Sequence, residues 1–72
     1  MAYTKYGEFM RIQRIKHHEV MSDTANLFGV TIPFVSAVEN GKKNVPEDWF
    51  VIISNHYNLQ EEEKDALRAA ID

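Results

Sequence analysis

DTANLFGVTIPFVSAVENGKK, residues 23–43, decides the fold. Gly29 stands at its centre, where a left-handed residue lets the chain turn without a Cβ penalty. Before it, a short helix is predicted over Met21–Phe28. Val20, Met21, Thr24, Ala25 and Phe28 share its inward face, and Ser22, Asp23 and Asn26 point to water. Ala25 is small where a following helix has to cross closely. After the turn, Thr31 offers a hydroxyl N-cap, and Pro33 is tolerated because first-turn N–H groups have no partner inside the helix. The next helix is predicted over Ile32–Asn40, with Gly41 as its stop. On its wheel Val35, Val38 and Glu39 point inward with Phe34 on the flank. Pro33, Ser36, Ala37 and Asn40 point outward, with Ile32 at the edge.

Two helices joined by a short turn containing Gly are the signature of a helix-turn-helix, and the flanks supply what such a pair packs on. Upstream, Lys5–His17 is predicted helical: Tyr6, Phe9 and Met10 share one face, Gln13 and His17 continue it in polar form, and Ile12 and Ile15 lie off it. Downstream, Lys42–Val45 reads as a loop, and Pro46 as the N1 residue of a fourth helix, with Glu47 and Asp48 in its first turn. Trp49, Phe50, Ile53 and Tyr57 form its apolar stripe, and Asn58 ends it. A fifth helix follows from about Glu61 to Ile71, opening on three glutamates and turning Leu67, Ala70 and Ile71 inward. The expected architecture is one all-α domain over residues 1–72, a compact bundle of about five short helices.

Composition narrows the function classes. With no Cys among 72 residues, a disulfide scaffold, a thiolate zinc site and a cysteine nucleophile are all excluded. No apolar run approaches a membrane span and no signal-peptide core follows Met1, so the chain reads as cytoplasmic. His17 and His18 are helix neighbours that point about 100° apart and cannot share one ion, so no metal is expected. No Ser or Thr is spaced with a His for nucleophilic chemistry, so neither an enzyme nor a cofactor is expected. The net charge of −3 hides an asymmetry. Residues 1–43 carry six cations against four anions, and residues 44–72 carry two against seven. The half with the turn is the basic half, as suits a molecule with one face for phosphates.

The order and spacing of four features resemble the phage-repressor type of helix-turn-helix domain, the family of Cro and the xenobiotic-response-element regulators. They are Arg14 in the first helix, Asp23-Thr24-Ala25, Phe28-Gly29-Val30-Thr31, and VSAVENGKK at residues 35–43. The match spans roughly residues 6–59. The resemblance implies a lambda-repressor-like fold and a bacterial or phage transcription regulator, a repressor or antitoxin-like autoregulator. It would bind a pseudo-palindromic double-stranded DNA operator as a homodimer, with no membrane or small-molecule partner. It implies a structural ion pair between Arg14 and Glu39, which agrees with an inward carboxylate that needs a partner.

The resemblance further implies that the third helix lies in the major groove. Ile32, Pro33 and Ala37 match the base-reading positions, with Thr31, Phe34 and Asn40 nearby. Lys42, Lys43 and Asn44 would hold phosphates, together with backbone N–H groups near Met21 and Ser22. This chain departs from the pattern in three places. Ile32, Pro33 and Ala37 carry no hydrogen-bonding side chain, so they offer methyl contacts instead of bidentate readout. Val20 replaces the usual polar cap, and Gln13 stands where an apolar residue is common. An alternative reading follows from the apolar outer face and the net negative charge: a protein-interaction module that keeps the fold with weak or no DNA binding.

Overall fold

In the computed structural model, which describes residues 4–72, the chain folds into five helices with no strand among the described residues. They are α1 (Lys5–Lys16), α2 (Met21–Phe28), α3 (Ile32–Glu39), α4 (Trp49–His56) and α5 (Glu61–Ile71). The expected all-α bundle is present, within 29 × 23 × 22 Å. α1 is central: it packs against α3 on one side and α5 on another, α2 packs on α3, and α4 packs on α5.

The core gathers residues from α1, α3, α4 and α5 and from the link between the last two. Tyr6, Met10, Val38, Trp49, Ile53, Tyr57, Leu59 and Leu67 form a single buried cluster. Trp49 is its hinge point. The Phe28 ring stacks on it at 3.8 Å between centroids, and the Phe34 ring meets it edge-on at 6.0 Å. One indole thereby ties the end of α2 and the start of α3 to the start of α4.

Local chemistry sets the helix ends. Gly29 has φ 68°, the left-handed turn its position predicts, and Thr31 Oγ1 accepts the Phe34 N–H at 3.2 Å. Thr4 caps α1 in the same way, accepting the Gly7 N–H at 3.0 Å. Its hydroxyl also donates to the Glu39 carbonyl at 2.9 Å, tying the start of α1 to the end of α3. Gly7 is required there, because a Cβ on it would overlap the Glu39 carbonyl oxygen.

Two expectations about side-chain placement and one about a helix start are corrected. Val20 is 63% exposed rather than inward: as the extended residue before α2 (φ −116°, ψ 174°) it is out of helical phase with Met21–Phe28. His17 caps α1 at the surface, and burial passes to Gln13 and Arg14. Pro46 does not begin α4. The Trp49 N–H donates to the Pro46 carbonyl at 3.1 Å, a three-residue bond, and Asp48 has ψ −11°. Residues 46–48 are therefore a tighter, 3₁₀-like turn that leads into a helix starting at Trp49.

Candidate nucleic-acid interface

The site is built from behind. Arg14, from α1, meets the Glu39 carboxylate with both guanidinium nitrogens, at 2.6 and 2.7 Å. Glu39 is fully buried and Arg14 nearly so. The fork-to-fork geometry satisfies both carboxylate oxygens, and Arg14 Nη1 also donates to the Thr24 hydroxyl of α2 at 3.2 Å. Three helices are thereby locked in one register behind the exposed face of α3.

On that exposed face, Thr31, Ile32 and Pro33 stand at the surface, with Ile32 46% exposed. Thr31 Oγ1 already accepts the cap bond, which leaves its own proton for another acceptor. Phe34, Ala37 and Asn40 are half-buried. Phe34 turns its edge to Trp49, and Asn40 Nδ2 donates to the Ser36 hydroxyl at 3.3 Å. Thus the structure brings the six base-contact candidates to α3 and its two caps but divides them, three open and three partly covered.

The phosphate candidates divide as well. Gly41, at φ 82°, folds the chain back over the end of α3, and the Lys42 and Lys43 N–H groups both donate to the Ala37 carbonyl, at 2.8 and 3.3 Å. This return places Lys43 Nζ 5.8 Å from the centre of the Phe34 ring, beside the first turn of α3. Lys42, Lys43 and Asn44 are all exposed there. At the start of α2 the situation differs. Ser22 is exposed and Met21 half-buried, but the Val20 N–H donates to Asp23 Oδ2 at 2.8 Å. A carboxylate already occupies that helix end, and an arriving phosphate would meet its charge.

A second polar cluster escaped the sequence reading. Glu19 accepts from the Tyr57 hydroxyl at 2.6 Å and lies 2.8 Å from His56 Nε2, and the His17 ring packs on Tyr57 at 4.7 Å. Burial pushes the Glu19 carboxyl up, but the Tyr57 hydroxyl and His56 together outweigh it and hold it below its ordinary value. Nothing local in the sequence signals this cluster, since its partners lie more than thirty residues apart. Thr24 was likewise read as an inward helix residue and not as a partner of Arg14. Among the described residues, no three His, Cys, Asp or Glu side chains are grouped to hold a metal ion. No described helix is long and apolar enough to cross a membrane.

No protein-family model matches the chain, and no curated protein or solved structure matches it.

Proposed function

We propose that this chain is a sequence-specific DNA-binding transcription regulator, a repressor or antitoxin-like autoregulator of the lambda-repressor-like, xenobiotic-response-element type. α2 and α3 act as a helix-turn-helix, with α3 laid in the major groove. One observation carries the reading. An exposed helix start, Thr31-Ile32-Pro33, has Lys43 folded back beside it and is braced from behind by the Arg14–Glu39 pair. Small apolar side chains at the tip suit thymine methyl groups, and the lysines suit the flanking phosphates. The protein works by occupying a promoter in the cytoplasm as a homodimer, on half-sites about 34 Å apart, and carries out no chemistry.

The test is fluorescence anisotropy with labelled DNA from upstream of the protein's own gene, titrated across a salt series. The expected result is tight binding at low salt that weakens steeply as salt rises, with scrambled DNA bound far more weakly. Absence of binding at low salt, or equal binding to scrambled DNA, would sink operator reading. Those outcomes favour a second reading, a protein-interaction module, for which the apolar surface at Ile32 and Pro33 and the net charge of −3 already speak.

A further inference from the structure

Asn40-Gly41, where α3 gives way to the following loop, is the single Asn-Gly step in the chain. Asn26, Asn44, Asn55 and Asn58 are followed by Leu, Val, His and Leu. The step carries latent chemistry. The main-chain nitrogen one residue on can attack an asparagine carboxamide, and glycine, with no side chain, obstructs that approach least. The fold holds the reacting groups apart. Asn40 lies at φ −92° and ψ 2°, so the Gly41 nitrogen eclipses the Asn40 nitrogen and stands about a third of a turn from Cβ. Closing a five-membered ring needs that nitrogen aligned with Cβ instead. The attacking group is also engaged, because the Gly41 N–H donates to the Val38 carbonyl at 3.1 Å. The carboxamide is held in its turn: Nδ2 donates to the Ser36 hydroxyl at 3.3 Å, and Oδ1 is sealed from solvent.

We propose that Asn40 is a spontaneous deamidation site, kept closed by the folded chain and opened when the last turn of α3 unwinds. In the open state the Gly41 nitrogen gives its proton to hydroxide and bonds to Asn40 Cγ. The side-chain nitrogen leaves as ammonia. Water then breaks the new bond to Cγ, giving aspartate, or the bond to the main-chain carbonyl carbon, giving isoaspartate. The net change is one water taken up and one ammonia released. Neither product suits the site it left. A carboxylate there meets the negative end of the α3 dipole, in a place where Oδ1 accepts no hydrogen bond among the described residues. Isoaspartate routes the backbone through Cβ just ahead of Gly41, whose φ of 82° folds the chain back over α3. A chain that reacts while open therefore closes poorly, and the modification records past openings. Nothing in this inference rests on DNA binding.

Peptide mapping by mass spectrometry tests this on the full chain, incubated at mildly alkaline pH with and without denaturing urea. In urea, Asn40 is expected to exchange ammonia for water ahead of the other four asparagines. In native buffer the same residue should react at least about tenfold more slowly, as chemistry gated by local opening does. Hydrogen exchange supplies the second readout. The Gly41 amide should be protected in native buffer, and low urea that speeds its exchange should speed Asn40 loss in parallel. Asn40→Asp, made directly, should unfold at a lower urea concentration than wild type. Equal native and denatured rates overturn the proposal, as does an Asn40 that reacts in urea no faster than the other asparagines. So does a native rate that ignores the opening of the Gly41 amide. An Asn40→Asp chain as stable as wild type would overturn the claim that a reacted chain closes poorly.

Discussion

Arg14 and Glu39 show how much a single pair can carry. The carboxylate is fully buried, and its attraction to the guanidinium has to offset the removal of both ions from water. Arg14→Ala is therefore expected to destabilise the fold by about 3–5 kcal/mol, because it strands a buried charge. Replacing both residues by Met should cost much less, since neither charge is then left without a partner. Urea denaturation of the two variants checks the contrast, and equal losses would show that the pair does not act as a unit. Glu39 was legible in the sequence, because it falls on the inward side of its helix and a buried carboxylate demands a cation; that the cation is Arg14 came from the family resemblance alone. Glu19 was not legible. It lies in an irregular stretch with no periodicity to give it a side, and its partners Tyr57 and His56 come from a distant helix.

Among the elements, α2, α3 and α5 were readable almost to the residue, because a left-handed glycine, a hydroxyl cap and an acidic first turn each mark an end with their own chemistry. α4 was misplaced by three residues because Pro46 fits the first position of an α-helix and a tighter turn equally well; only the Trp49–Pro46 bond separates the two. For α3 the open question is what its surroundings hold. If Lys42 and Lys43 grip phosphates, K42A/K43A should weaken binding to every DNA sequence alike and lower the slope of log affinity against log salt by roughly 2. An unchanged slope in anisotropy would remove the lysines from the contact. The division of the outer face of α3 into open and covered residues could not be read from the helical wheel, because a wheel gives direction and not what stands opposite.

At the scale of the whole molecule, stability should have an acid limb and an alkaline limb with separate causes. Folded Glu19 ionises below its ordinary 4.5, so its contribution is complete above about that pH and is lost as pH falls through the lower folded value. Tyr6 and Tyr57 run the other way. Burial is the first cause in both, and it raises their hydroxyls well above the ordinary 10.0, aided by nearby carboxylates. Their stabilisation is complete below about 10 and fades as pH climbs past it, since unfolding then releases their protons. Tyr57→Phe should flatten both limbs, because it removes a titrating phenol and the hydroxyl that holds Glu19 low. Thermal melts from about pH 3 to about pH 11 would show this, and an acid limb identical to wild type would exclude the Tyr57–Glu19 bond as its source.

The tie between Thr4 and the Glu39 carbonyl has a bearing on birth order. It spans thirty-five residues, so the beginning of the first helix meets its final partner only after the end of the third has been synthesised. A nascent chain that stops short of Glu39 lacks both this anchor and the carboxylate that neutralises Arg14. Its first helix therefore gains these two long-range partners only once the third helix has been made.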